Sequence, residues 1–190
     1  MGSHGDPTNA NVWAEADVLI GSVNAPIPTG LAPFDIGSGA NQWRYVGALD
    51  GGQGFSESLE VQSTDHSLWG FGVVMTTYAG QKTTMSFTTA ENIEEALSLA
   101  YDTSSMTFDS DGHRGYLKVR DLSERLRIAF VTYAAGFEER YISANYATVA
   151  PNGAASRTES AMGLRPYIAT IAPDASKQLW YHARGLEDES

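Results

Sequence analysis

From residue 106 to residue 182 the chain repeats one kind of unit, a short run of β-branched and aromatic residues followed by a turn signal. The runs 106–108, 116–121, 126–133, 141–149, 162–171 and 178–182 are divided by Asp111-Gly112, Ala135-Gly136, Pro151-Asn152-Gly153 and Pro173-Asp174. Strands this short, each closed by turn chemistry, return on themselves and predict a mainly β fold, an antiparallel sandwich or barrel. Pro166 removes a ladder donor, so the segment around Arg165 is expected at an edge or a bulge. No period of 20–50 residues repeats.

The first half obeys the same grammar less regularly. Residues 17–23 form a short β-type run, which the prolines of Ala25-Pro26-Ile27-Pro28-Thr29-Gly30 must end. Residues 43–49 read as another strand, closed by Asp50-Gly51-Gly52. Between Phe55 and Thr77 the composition is β-like, but Thr64-Asp65-His66-Ser67, Gly70 and Gly72 interrupt it, which predicts two strand ends joined by a long, partly apolar loop. Residues 82–88 alternate cleanly, placing Thr83, Met85 and Phe87 on a buried face and Thr84, Ser86 and Thr88 on a neutral, wet one.

One helix is expected, over residues 89–101. Thr88-x-x-Glu91 has the form of a capping box, and Ile93, Ala96, Leu97 and Ala100 make an i, i+3, i+4, i+7 stripe facing the core. Glu91, Glu94 and Glu95 fall in its first turns, where the helix dipole favours negative charge, so a structural role accounts for them.

The charge excludes several functions. Twelve Lys and Arg oppose 23 Asp and Glu among 190 residues, a formal net of -11, and a surface built to grip phosphates needs clustered cations. The imbalance is concentrated: residues 1–81 hold eight acids against the single base Arg44, a net of -7. The absence of cysteine removes disulfides, thiol nucleophiles and Cys-ligated metals. Residues 1–11 lack the basic start and apolar middle of a signal peptide, and no apolar run approaches the ~18 residues of a membrane span, so a soluble, unexported chain is expected.

Local motifs argue against an enzyme. The histidines His4, His66, His113 and His182 are scattered without metal-ligand spacing. Asp65, His66 and Ser67 are consecutive, and neighbours in an extended chain point to opposite faces, so a polar loop cluster explains them better than a catalytic relay. Asp109-x-Asp111-Gly112 starts like a calcium loop, but Arg114 and Arg120 stand where Gly and a bidentate Glu are required. Gly51-Gly52-Gln53-Gly54 lacks the Lys-Ser/Thr of a phosphate loop and precedes a strand. Lys118, Arg120, Arg125 and Arg127 are expected to pair across strands with Asp121, Glu124, Glu138 or Glu139. No catalytic residue, metal site or cofactor is expected.

Two apolar segments stand in loop-like context: Leu68, Trp69, Phe71, Val73 and Val74, and Val12-Trp13 near the start. They either fold back on the core or bury against another copy. With the strand Trp43-Arg44-Tyr45-Val46-Gly47-Ala48-Leu49, the Asp50-Gly51 turn, the acidic strand Phe55-Ser56-Glu57-Ser58-Leu59-Glu60-Val61, the Leu68-Trp69-Gly70 loop, the 83–88 strand and the helix containing Asn92-Ile93-Glu94-Glu95-Ala96-Leu97, the order of elements over residues 12–102 resembles the major tail proteins of long-tailed bacteriophages, particularly those of actinobacterial hosts.

The resemblance implies a tail tube subunit: one β-sandwich with a packed helix, closed into rings, usually of six, that stack into a hollow tube in the virion after assembly in the host cytoplasm. It implies an N-terminal arm over residues 1–17, a domain over 18–186 and an acidic tail over 187–190. Ring-stacking contacts fall to the loop 61–81, with Asp65, His66, Leu68, Trp69 and Phe71, and to Val12 and Trp13 of the arm. Glu57, Glu60, Thr84 and Ser86 become lumen candidates, and Ile93, Ala96, Leu97 and Ala100 the helix core. The implied partners are further copies of the chain, a tape-measure protein and the tail-terminator and tail-tip proteins, with DNA passing through the lumen unbound. A sandwich that binds carbohydrate on Trp43, Trp69 or Trp180 is the competing reading.

Overall fold

The computed structural model describes residues 15–52, 54–90, 93–103, 106–109, 112–115, 118–134, 136–158 and 161–186. The first strands are β1 (Glu15–Gly21), β2 (Trp43–Tyr45), β3 (Ser56–Leu68) and β4 (Gly72–Thr89). The helix α1 (Glu94–Ser98) follows, and then β5 (Tyr101–Asp102), β6 (Met106–Asp109), β7 (Gly112–Gly115) and β8 (Lys118–Val119). The chain ends with β9 (Arg127–Ala134), β10 (Phe137–Ser143), β11 (Ala147–Pro151), β12 (Ser156–Thr158), β13 (Ala161–Ile171) and β14 (Trp180–Leu186). They form two antiparallel sheets: one in the order β14-β10-β9-β1-β2, the other β11-β13-β4-β3 with β12 added beside β13. The short pairs β5–β8 and β6–β7 stand apart.

The two sheets face each other across one core, as a sandwich does. Val18 and Ile20 of β1 and Ile128 and Phe130 of β9 meet Met85 and Phe87 of β4, Tyr167, Ala169 and Ile171 of β13, and Val149 of β11. These are alternate residues along each strand, the period-2 pattern that buries one face of a sheet. Phe130 lies edge-on to Phe55, Phe87 and Trp180, with ring centroids 5.0, 5.7 and 6.0 Å away. Such geometry adds about 0.5–1.5 kcal/mol per pair beyond area burial.

A second apolar cluster covers the outer face of the first sheet. The proline-rich stretch after β1 crosses Leu19, Ala129, Val131 and Ile142, and it carries Ala25, Ile27 and Phe34 down onto that face, where Trp43 is fully buried. Backbone carbonyls of this covering stretch are held by side chains of the sandwich. Trp43 Nε1 donates to the Pro26 carbonyl at 2.9 Å, Arg127 to Ala25 at 2.6 Å, and Arg140 to Ala32 and Leu31 at 2.6 and 3.1 Å. Buried Arg140 also pairs with buried Glu138 and lies over the Phe34 ring. A segment with three prolines, Pro26, Pro28 and Pro33, lacks ladder donors, and guanidinium and indole donors bind its carbonyls.

Several expectations need correction. The loop over 61–81 is a β-hairpin: β3 and β4 stay paired from Ser56↔Ser86 to Leu68↔Gly72, with register shifts after Val61 and His66. Gly70 and Gly72 have φ of 87° and 72° and make its turn, so glycines that looked like interruptions are the reversal itself. The expected arm over 1–17 overlaps β1, where Glu15, Ala16 and Asp17 pair with Tyr133, Thr132 and Val131. The helix predicted over 89–101 spans only Glu94–Ser98, starts at Ile93 without a side-chain cap, and is preceded by Thr88 and Thr89 as strand residues. Glu91 and Asn92 lie outside the described residues, as do the arm residues Val12 and Trp13 and the tail 187–190.

The strand predicted over 141–149 is two strands in different sheets, β10 and β11, divided by a corner at 144–146. Of that over 116–121, residues 116 and 117 lie outside the described residues and 118–121 hold only β8, and that over 43–49 reduces to β2. Pro166 sits where β13 exchanges one partner for another: Tyr167 still pairs with Pro151 of β11, whereas Leu164 pairs with Ser156 of β12. The missing proline donor thus falls at a break in the ladder.

The shortened helix redistributes its core. Ala96 is fully buried, Leu97 nearly so and Ala100 partly, but Ile93 is exposed and Leu99 is fully buried in its place. Tyr167 fixes the helix by donating to the Ala96 carbonyl at 2.7 Å. Leu99→Ala is expected to cost about 2–5 kcal/mol, the range for a buried leucine, whereas Ile93→Ala should change stability by less than about 0.5 kcal/mol, as exposed positions do. Urea unfolding of both variants tests this, and equal costs would contradict the helix placement.

Candidate functional site: an apolar hairpin arm and an acid-rimmed cleft

β4 is 18 residues long, and its two halves live in different surroundings. Thr83–Thr89 lies between β3 and β13 with Thr83, Met85 and Phe87 buried, whereas residues 72–77 pair only with β3 and are exposed. β3 is exposed along its whole length. The result is a two-stranded arm leaving the sandwich with no core against either face. Such a ribbon by itself is marginally stable in water.

The arm is held by cross-strand polar pairs along its shaft and is apolar at its end. Thr76 donates to Asp65 at 2.7 Å, and His66 Nε2 and Thr77 Oγ1 are 3.0 Å apart. The Asp65 and His66 side chains are thus partnered with threonines of the opposite strand, as the polar-cluster reading expects. The end carries Leu68, Trp69, Phe71, Val73, Val74 and Met75, all exposed, with Trp69 wholly so. The five stacking-loop residues therefore lie on one arm, Asp65 and His66 on the shaft and Leu68, Trp69 and Phe71 at the end.

The lumen candidates separate by face. Glu60, Thr84 and Ser86 share the outer face of the second sheet, because Glu60 opposes Lys82, Ser58 opposes Thr84 and Ser56 opposes Ser86. Thr170 and Ile168 continue those rows on β13, and Thr148 and Ala150 on β11. The face is mainly hydroxyl-bearing, and its described Lys82 stands opposite an acid. Thr84 and Thr88 are buried by neighbouring strands, which corrects the expectation that this face is wet throughout. Glu57 does not belong there. It is three residues from Glu60, an odd spacing that reverses its side on a strand, and it opposes core residue Met85 and accepts a bond from Trp180 Nε1 at 3.0 Å.

Glu57 instead lines a cleft of about 610 Å³ between the sheets. Its floor is apolar, with Leu49, Phe55, Met85, Phe130 and Tyr141. Asp50, Glu57 and Glu139 stand at its rim, and among the described residues no Lys or Arg lines it; Glu15 and Asp17 line it from β1 with their side chains on the opposite face, since they pair with Tyr133 and Val131 of the outer cluster. Glu139 accepts bonds from His182 at 2.8 Å and Tyr141 at 3.1 Å, and the Tyr141 and His182 rings stack with centroids 4.6 Å apart. Burial pushes the Asp17 carboxyl above its usual value of 3.8, against a hydrogen bond from Tyr133 and with the help of Glu15. The cleft lining draws on five strands, and only the register reveals it.

A second, more polar cleft lies beside the helix, lined by Ile20, Ser38, Arg44, Leu99, Arg120 and Arg125. The basic residues of this region do not make the expected cross-strand ion pairs. Arg120 pairs with Glu124 four residues on, Arg125 lies over the Tyr146 ring at 4.4 Å, and Arg127 binds the Ala25 carbonyl. Glu138 pairs with Arg140 on its own strand. Among the described residues no group of three or more His, Asp or Glu could hold a metal ion, and no helix is long and apolar enough to cross a membrane. Of the three possible sugar platforms, Trp43 is buried, Trp180 is half-buried against the core, and Trp69 is open. No family model matches the chain, and no curated protein matches it either.

Asp17, on the outer face of the first sheet beside Tyr133, supplies a pH test. Asp17 has a folded pKa above its unfolded one, so its charge opposes folding at neutral pH and this penalty is relieved as pH falls through the raised value. Asp17→Asn, which keeps an acceptor for Tyr133, is expected to unfold at higher urea concentration than the wild type at pH 7. The difference should shrink at pH 3, below the usual aspartate value. An equal difference at both pH values would contradict a buried carboxylate.

Proposed function

We propose that this chain is a structural subunit that assembles with copies of itself into the tail tube of a long-tailed bacteriophage, stacking rings through its hairpin arm. The observation that carries the reading is the arm, a ribbon with an apolar end that projects from the sandwich. Monomeric proteins rarely expose contiguous apolar patches of more than a few hundred Å² unless the patch is an interface. A buried aromatic side chain covers about 150–250 Å², so at about 25 cal/mol per Å² one ring contributes roughly 4–6 kcal/mol. Association itself costs about 4–15 kcal/mol. A single arm is therefore a weak tether, whereas a ring in which every copy presents an arm binds through all of them at once.

The charge pattern supports a conduit. A wall beside passing DNA must avoid phosphate contacts that hold it in place, and the outer face of the second sheet offers hydroxyls with Lys82 opposite Glu60. In this reading that face is the lumen candidate, with Glu60 and Ser86 open to it; Glu57 lies on the other face and Thr84 is buried, so both are removed. The tape-measure, tail-terminator and tail-tip proteins are the further partners, and the role involves no catalysis.

Electron microscopy of the purified chain tests the proposal. Tubes or stacked rings are expected from the wild type at high concentration, and Trp69→Ala should shorten or abolish them while leaving the melting temperature within about 1 °C, as a fully exposed side chain requires. Normal tubes from the variant would contradict the role of the arm. A monomer at every concentration, with tryptophan fluorescence that shifts on adding glycans, would favour the carbohydrate-binding reading instead.

A further inference from the structure

We propose that Asn152 is a self-modification site, where the backbone nitrogen of Gly153 attacks the Asn152 side-chain amide and converts this residue of the folded chain to aspartate and isoaspartate. The proposal does not depend on self-assembly. It stands on where the strand pairing leaves these two residues.

Asn152 is the only one of the seven asparagines that is followed by glycine. Pro151-Asn152-Gly153 reads as a turn in the sequence, but β11 and β12 run in one direction along the same strand, β13. Pro151 pairs with Tyr167 and Ser156 with Leu164, so residues 152–155 face only residues 165 and 166. They form a bulge, and all of 152–155 is exposed. The Asn152 N–H holds the bulge to the Pro166 carbonyl at 2.9 Å.

The reaction needs a free side-chain amide and a free, uncrowded nitrogen after it. Among the described residues none bonds to the Asn152 side chain, and none accepts from the Gly153 N–H. Glycine has no Cβ to crowd the five-membered ring, and it tolerates the φ of 112° found there. The other described asparagines each fail one condition. Asn41 accepts from Ser22 Oγ at 3.3 Å, and the next nitrogen, of Gln42, donates to the Gly39 carbonyl at 3.1 Å. Asn145 Nδ2 donates to the Pro173 carbonyl at 2.9 Å. Asn24 is exposed, but the nitrogen after it, of fully buried Ala25, donates to the Ser22 carbonyl at 2.9 Å.

The step balances with water as the only co-reactant. The Gly153 nitrogen loses its proton to hydroxide and bonds to the Asn152 Cγ; the Cγ–Nδ2 bond breaks, and ammonia leaves with a proton returned from water. The resulting succinimide is opened by water. Breaking the new bond from nitrogen to Cγ gives aspartate, whereas breaking the bond from nitrogen to the main-chain carbonyl carbon gives isoaspartate, whose chain runs through Cβ and Cγ. Either product adds a negative charge, and isoaspartate lengthens the backbone by a carbon at the bulge, outside the paired ladder.

Mass spectrometry of the purified full chain, incubated at pH 8 and 37 °C, tests the proposal, with fragmentation assigning each change to a residue. Asn152 is expected to gain about 1 Da and to yield two separable products, while Asn24, Asn41 and Asn145 keep their mass. The rate should rise roughly tenfold from pH 7 to pH 8, as proton removal by hydroxide requires. Asn152→Gln, which would need a larger ring, should abolish the gain and melt with the wild type. In urea the rate at Asn152 should stay within about threefold of the folded rate, since the fold already exposes the site. An Asn152 that keeps its mass in the folded chain and changes only in urea would overturn the proposal. Equal gains at Asn24 and Asn152 in the folded chain would overturn it as well, because the free nitrogen and the missing Cβ would then select nothing.

Discussion

β4 spans two environments, and the rest of the molecule is arranged around that. Its second half is a central strand whose inner residues, Met85 and Phe87, sit in the core between Phe130 and Tyr167. Its first half continues the same hydrogen-bonded ladder with β3 beyond the sandwich, where neither face has anything to pack against. The core anchors the root of the arm, and the arm carries apolar side chains that the core cannot cover. A fold that rigidly presents an uncovered apolar end presents it to something else.

The second sheet's partner is organised to leave that arm undisturbed. The outer face of the first sheet is closed by the proline-rich stretch and its Trp43, Arg127 and Arg140 anchors, so that side of the sandwich is finished. The cleft between the sheets, the more polar cleft beside the helix and the arm stay open. The arm carries Asp65 on its shaft and no acid beyond it, and its end lies about 36 Å from Glu57 of the cleft along one strand. The acidity of residues 1–81 divides by location, with Asp50 and Glu57 at the cleft, Glu15 and Asp17 on the outer face of the first sheet, Glu60 opposite Lys82 on that of the second, and Asp65 on the arm.

Much of this was legible in the sequence, and the failures have physical causes. The alternation of Thr83, Met85 and Phe87 identified a strand and its core face, but the face read as wet is closed as well at Thr84 and Thr88. The arm was read as a loop because no core imposes alternation on residues 61–77, and its two glycines were counted as breaks when they form one tight turn. The helix was drawn too long because its apolar stripe continues past Ser98, whereas the chain bends there and buries Leu99. The separation of Glu57 from Glu60 was available from their odd spacing alone. The cleft was not, since its residues come from β1, β3, β4, β9 and β10 and only the pairing order brings them together. Buried Arg140 and Glu138 likewise gave no local signal, because their role is set by carbonyls more than one hundred residues away.

The central claim is that the arm exists for contact between copies and contributes little to the fold of its own chain. Replacing residues 62–80 by Asn-Gly would close β3 and β4 at the Val61↔Gln81 pair with a two-residue turn. Sedimentation velocity, run on this shortened chain and on the full chain over a hundredfold range of concentration, tests the claim directly. The account predicts large, concentration-dependent species for the full chain and a single monomer for the shortened one, with the two melting within a few degrees of each other. A full chain that stays monomeric throughout, or a shortened chain that assembles equally well, would contradict it.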